Sequence, residues 1–332
     1  MAESLLKVIS SGPLVSYQDA GRFGMMRFGV PASGPMDRLG YAAALAALGF
    51  ERGNTTIEIS MGGVALQCES GEVSFSIAGG GFQVRHAGAL APSWCVRTLR
   101  SGETLVVRPG LWGSWAYIAF AGDLDCSSWA GHSATHAASN LGGGLIKSGD
   151  VVKVRNAEVI ETREGDLPVP EFARSCSVAH VVLGPQSEYF QLDAIKAFSE
   201  SIFSVSASFD RMGMQLVGPG LELKNALSIP SEPLVRGSVQ VSGNGMASVL
   251  LSDHQTTGGY PKIATLISSD IDALAQLRPS ERIRFKAVSA EDAIGLVRLT
   301  MHSRQKYLQS IALPRMTLDQ RLMSENLISG AV

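Results

Sequence analysis

Charge is what this chain has least of. Asp, Glu, Lys and Arg make up 17% of its 332 residues, and 28 basic against 30 acidic groups leave a net charge of −2. No basic stripe is present, which argues against a nucleic-acid partner. Cysteine is scarce too: Cys68, Cys95, Cys126 and Cys176 lie far apart and form no CxxC pair. A structural zinc site is therefore not expected, and a chain this long can stabilise itself by burial without disulfides. No run of 18 apolar residues occurs, so no helix should span a membrane. The opening MAESLLKVISSGPL has neither the basic nor the apolar region of a secretory signal, and the expected location is cytoplasmic. GxxxxGK[ST], HExxH, GxSxG and Met-Lys-Met are all missing. A P-loop, a zincin helix, a hydrolase elbow and a self-carried biotin are thereby excluded. His132 and His136 stand four apart, but in a loop-like GHSATHAASNLGGG without a third ligand; no metal site is expected.

What the chain does have is glycine, 36 residues of it, set among 45% hydrophobic residues at a mean hydropathy of +0.15. The glycines punctuate short alternating or β-branched runs such as VSFSIAGG, TLVVRP and WAYIAFAGD. Closely spaced short strands ending in turn residues indicate barrels or sandwiches rather than βαβ units. The spacing predicts strands at 57–60, 64–68, 73–78, 82–86, 94–98, 104–108, 115–121 and 151–155. It predicts a helix over 36–49, with Ser33 as cap and Gly49 as stop. A polar, proline-bearing stretch divides the chain. The expected organisation is a β-rich lobe at 1–156, a linker at 157–174, a second β-rich lobe at 175–288 and a helical extension at 289–332. In the second half, strands are predicted at 177–183, 202–207, 214–217, 226–229, 238–241 and 246–252. Helices are predicted near 187–199, 270–276, 289–311 and 315–329, the third opening on a capping pattern at Ser289.

Four polar clusters stand out. In Gln18-Asp19-Ala20-Gly21-Arg22-Phe23-Gly24, Arg22 could grip a carboxylate or phosphate, or merely brace the loop against Asp19. In GVPASGPMDR, residues 29–38, N–H groups at a helix start offer an anion site, or are simply capped. Asp210-Arg211 precedes a strand, where such a pair is either a structural brace or half of an ionic site. The fourth, DHQTTGGYP at 253–261, follows an apolar strand and carries more polar groups than a turn demands. Gly258-Gly259 permits close backbone approach, and Gln255, Thr256 and Thr257 offer donors and acceptors, which suits the rim of a pocket.

Taken in order, QDAGRFG, GVPASGPMDR, IEISMGG (57–63), DRMGMQLVG (210–218), DHQTTGGYP and LAQLRPSERIRF (274–285) resemble one family. It is the allophanate-hydrolase-subunit-2 family, the large half of a biotin-dependent carboxyltransferase domain. Members include one component of the ATP-dependent 5-oxoprolinase, urea-amidolyase-related proteins and part of urea carboxylase. The resemblance covers about residues 5–286. It implies a mainly β fold with some α, in two barrel-like, cyclophilin-like lobes. It also implies an obligate small partner subunit, in some members a third, and a small amide or lactam substrate. ATP or carboxybiotin would come from a partner.

On this resemblance Asp19, Arg22, Asp253 and Gln255 are the expected catalytic residues. Gln18, Thr256, Thr257, Gly258, Gly259 and Tyr260 would bind substrate, with Asp210 and Arg211 in support behind them. The alternative expectation is a regulatory protein that sequesters a small inhibitor subunit without chemistry. This chain departs from the family pattern at His254, which replaces an arginine, and near Ser133, where another arginine is usual. Pro233, Arg236 and Ser242 are atypical as well.

Overall fold

The computed structural model describes residues 2–50, 53–224 and 229–314. The predicted helix at 315–329 and most of the predicted strand at 226–229 fall outside them. Among the described residues no helix is long and apolar enough to cross a membrane.

The first lobe is an 11-stranded sheet. Its strands are β1 (Glu3–Ser11), β2 (Ser16–Gln18), β3 (Thr56–Ile59), β4 (Val64–Ser70), β5 (Glu72–His86), β6 (Ala89–Ala91), β7 (Cys95–Arg100), β8 (Thr104–Phe120), β9 (Asp123–Leu124), β10 (Val151–Arg155) and β11 (Gly165–Asp166). The order β11-β7-β5-β8-β4-β1-β10-β9 runs along the sheet, with β3 pairing one half of β8 and β4 the other. The expected pairs of short strands at 73–78 and 82–86, and at 104–108 and 115–121, are instead single strands of 15 and 17 residues. The glycines between them do not end the strands but bend them. The β5–β8 register slips between Gly79 and Gly81 and again before Gln83. A Cβ on Gly110 would collide with the Gly81 carbonyl oxygen, so the two backbones touch where the strands cross their bend.

Helix α1 (Arg38–Leu48) lies on this sheet. Its alanines let it approach closely: Ala43 and Ala44 are fully buried, and a Cβ on Gly40 would come within 2.8 Å of Gly79 Cα. Asp37, not Ser33, caps it, accepting from Leu39 N and Gly40 N at 2.9 Å each. Ser33 instead takes a left-handed φ of 53°. Gly49 ends the helix at φ 82° as predicted.

The second lobe is a closed barrel of β12 (Val178–Leu183), β13 (Ile202–Phe209), β14 (Gly213–Val217), β16 (Ser238–Val241), β17 (Ala247–Leu250), β19 (Lys262–Leu266) and β20 (Arg282–Ala287). β15 (Glu232–Pro233) and β18 (Thr257–Gly258) form a two-stranded flap beside it. Every neighbour pair in the barrel is antiparallel except β12–β20, whose parallel pairing closes it. The predicted helix at 187–199 is a 3-10 turn, Pro185–Tyr189, followed by α2 (Leu192–Glu200). Its Phe198 stacks on Phe285 of β20 at 4.8 Å. α3 (Ile271–Ala275) and the 23-residue α4 (Ala290–Ala312) are the remaining α-helices among the described residues. Ser289 caps α4 by accepting from Asp292 N at 3.1 Å, and α4 packs on α1.

Candidate interlobe site

The lobes meet through buried polar groups as well as apolar contacts such as Trp115 against Phe209. From the turn before β14, Arg211 reaches Asp253 with Nε at 2.8 Å and Nη2 at 3.0 Å. The same guanidinium pairs with Glu58 of β3 and donates to the Gly34 carbonyl at 2.7 Å. Glu58 in turn accepts from Met36 N at 2.8 Å and from the Tyr117 hydroxyl at 2.7 Å. Arg211, Glu58 and Asp253 are all buried, so each charge depends on the others for compensation. The two carboxylates outweigh the cost of burial and drive the Arg211 pKa upward, while burial and Glu58 push Tyr117 well up. Tyr117 is held as a neutral phenol that donates to Glu58 and accepts from Asp37 N at 2.8 Å.

A second cross-lobe knot surrounds Gln276, just after α3. Its carbonyl accepts from Ser114 N at 2.8 Å and Trp115 N at 3.0 Å. Its amide donates to Asp37 at 2.7 Å and to the Trp115 carbonyl at 2.9 Å. Burial and nearby Asp272 raise Asp37 to about 6, against the hydrogen bonds it receives. The helix start suggested as an anion site is therefore fully occupied. Met36, Asp37, Arg38, Leu39 and Gly40 all donate their N–H groups to protein acceptors.

Between the lobes lies a cleft of about 120 Å³, walled by Ser16, Thr135 and His136 on one side and Asp210, Arg211 and Asp253 on the other. The expected site residues distribute unevenly around it. Asp210 and Arg211 are neighbours in sequence but do not pair: Asp210 caps its own turn through Met212 N, and Arg211 turns to Asp253. Gln18 is buried beneath the cleft wall, donating to Ser16 Oγ at 3.0 Å and leaving its Oε1 without a partner. Asp19 does not brace Arg22: its carboxylate accepts from Gly21 N and Ser133 N, 2.8 Å each, with His132 at 3.4 Å. Arg22 is fully buried, held by the Ala134 carbonyl and by Ser33 Oγ at 3.1 Å. It makes no carboxylate ion pair among the described residues, and burial pushes its pKa down.

Of DHQTTGGYP, only Asp253 reaches the cleft. Thr257 and Gly258 form the flap with Glu232 and Pro233, and the Gln255, Thr256 and Tyr260 side chains do not line it. Gly258 and Gly259 do stand where backbone is crowded: a Cβ on Gly259 would be 2.9 Å from the Ile229 carbonyl. His254 is buried with Nδ1 2.6 Å from the Gln255 carbonyl, and burial lowers its pKa, which disfavours the charge an arginine would carry there. The atypical Arg236 lies behind the interface, donating to Pro35 and Met36 carbonyls at 3.0 and 2.5 Å.

Two residues escape a reading of the sequence. Glu58 sits in an apolar strand, TIEI, where a lone acid is the available signal. His136, which the sequence offers only as a doubtful metal ligand beside His132, is buried where it lines the cleft, and its Nδ1 has no hydrogen-bond partner. Among the described residues, no three His, Cys, Asp or Glu side chains are placed to hold a metal ion.

Comparison with known proteins agrees with this architecture. A 5-oxoprolinase subunit of Haemophilus influenzae is 30% identical over 300 residues, covering 89% of this chain and 94% of that protein. Its namesake in Escherichia coli is 28% identical over 93% of this chain and 98% of its own length. The solved Kluyveromyces lactis urea carboxylase superposes with a TM-score of 0.81 at 22% identity, over 96% of this chain and 30% of that one, a likeness of fold. Residues 28–287 match the family described as the carboxyltransferase domain, subdomains A and B, and the chain belongs to that family.

Proposed function

We propose that this chain is the larger subunit of a multi-subunit enzyme acting on a small amide or lactam. The two chemistries in view are ATP-driven 5-oxoproline opening and biotin-dependent carboxyl transfer, with the interlobe cleft as the site. The supporting observation is the wall of that cleft, where Arg211 is fixed between Asp253 and Glu58 and the His136 imidazole lines the opposite side. Both chemistries develop negative charge on an oxygen, which fixed donors in a dry site stabilise. Asp253 has both oxygens committed to Arg211, so its role is to aim that guanidinium rather than to act as a base. His136 is the group able to take or return a proton.

A cleft of about 120 Å³ suits a small amide but not a whole nucleotide, since pockets enclosing drug-sized ligands span roughly 300–1,000 Å³. ATP, or the biotin carrier, would accordingly be held by a partner subunit. Near-full-length similarity to two proteins named as 5-oxoprolinase subunits favours the first chemistry. The test is co-expression with the small and third subunits, followed by assays of ATP-dependent glutamate release from 5-oxoproline and of biotin-dependent bicarbonate fixation. Turnover in the first supports this reading. A tight complex inactive in both assays would favour the binding-only role.

A further inference from the structure

We propose that the cavity between α1 and α4 is a second ligand site, which takes a small organic carboxylate with an apolar body. The cavity measures about 340 Å³ and shares no lining residue with the interlobe cleft. That is within the range of ligand pockets, and most of its wall is apolar, as such pockets require. Phe23, Leu39, Ala42, Met301 and Leu308 supply that surface. Helix α4, which begins after the family-matched span ends at residue 287, contributes Met301, Arg304 and Leu308.

The polar end of the cavity carries a surplus of positive charge. Arg38 and Arg304 line it, and Arg236 lies behind them. Asp272 is the acidic group on the wall, and it is already shared. It pairs with Arg304 at 2.6 Å, approaches Arg236 at 3.7 Å and accepts from Arg38 N at 3.2 Å. Asp37, the next carboxylate, is committed to the helix cap and Gln276. The Arg38 guanidinium makes no ion pair with a carboxylate among the described residues, and its side chain is exposed to the cavity mouth. Arg304 is nine-tenths buried yet keeps Nε without a hydrogen-bond partner. Burial, and after it the neighbouring charge of Arg38, push Arg236 down to about 10 against the pull of Asp272. A carboxylate at this end would neutralise that surplus, with Arg38 as its bidentate partner, and leave its hydrocarbon body among the apolar side chains.

Three probes of equal chain length separate charge from hydrophobicity: hexanoate, hexan-1-ol and hexylamine, each titrated calorimetrically into the full chain. Hexanoate should bind at least about tenfold more tightly than either of the others, and Arg38→Gln should weaken it by at least about tenfold, since the charge-assisted bidentate pair is lost. Arg38 is exposed, so this variant should keep the parent melting temperature. Leu308→Trp, which fills the cavity, should abolish hexanoate binding. Equal binding of the three probes, no binding of hexanoate, or a hexanoate affinity unchanged in either variant would overturn the proposal. None of these readouts depends on turnover, so the outcome is separate from that of the interlobe enzyme reading.

Discussion

Arg211 and Glu58, 153 positions apart, form a buried ion pair across the two lobes. Their union, extended to Asp253 and Tyr117, is the structural centre of the interface. Removing the cation alone would strand two carboxylates in a dry environment. Arg211→Met should therefore cost about 3–5 kcal/mol, read from urea denaturation. Replacing Arg211, Glu58 and Asp253 together with Met, Gln and Leu should cost less than Arg211→Met alone. The reverse ranking would show that the cluster is not mutually compensating.

Gln276 makes a comparable link with neutral groups. Gln276→Leu leaves two buried N–H groups of Ser114 and Trp115 and one Asp37 oxygen unsatisfied. At about 1–3 kcal/mol for each of these three stranded groups, a loss of at least about 3 kcal/mol is expected. A loss under roughly 0.5 kcal/mol, the scale of an inert surface change, would mean that the knot is solvated.

How much of the fold and site is legible in the sequence follows from how far each signal reaches. Helices α1 and α4 announce themselves because periodicity and caps are local, as at Gly49 and Ser289. Arg211 is visible as a polar residue in a turn, but its partners lie in β3 and in the loop after β17, and no local pattern links them. Glu58 reads as a strand residue and His136 as a loop residue, because their burial depends on contacts far away in sequence, as between Glu58 and Tyr117 or Arg211. The bends at Gly79–Gly81 read as turns because glycine punctuates turns and bulges alike, and only pairing to β8 distinguishes the two. DHQTTGGYP reads as a rim, yet much of it is spent on the flap that pairs with Glu232 and Pro233.

The bend itself is testable. Gly110→Ala would drive a methyl group into the Gly81 carbonyl, a contact that only backbone movement can relieve. A destabilisation of about 1–3 kcal/mol or more is expected from thermal and urea unfolding. Gly88→Ala is the control for space, since nothing lies within 4 Å of its Cβ, although its φ of +81° adds strain of its own.

Asp37 should leave a mark on the pH dependence of stability. Burial raises its folded-state pKa to about 6 from an ordinary 3.8, so between those values the folded chain holds the proton more tightly than the unfolded one. The contribution is therefore stabilising at low pH and is lost as pH rises from about 4 to about 6, then stays flat. Asp37→Ser keeps a capping oxygen but removes the titration. The stability of the parent minus that of the variant, from urea denaturation across this window, should fall with rising pH. A difference that is constant or rises would show that Asp37 is not held in this way.

The central claim, that the cleft between the lobes is where chemistry occurs, is tested most directly by removing its proton-transfer group. His136→Phe places a ring on the cleft wall without touching the Arg211–Glu58 pair. The measurement is ATP-dependent glutamate release from 5-oxoproline by the purified heteromeric enzyme, with assembly checked by size-exclusion chromatography. The account predicts an intact complex with turnover reduced by at least about 100-fold, as expected when a positioned proton-transfer group is lost. An intact complex turning over at the parent rate would contradict it.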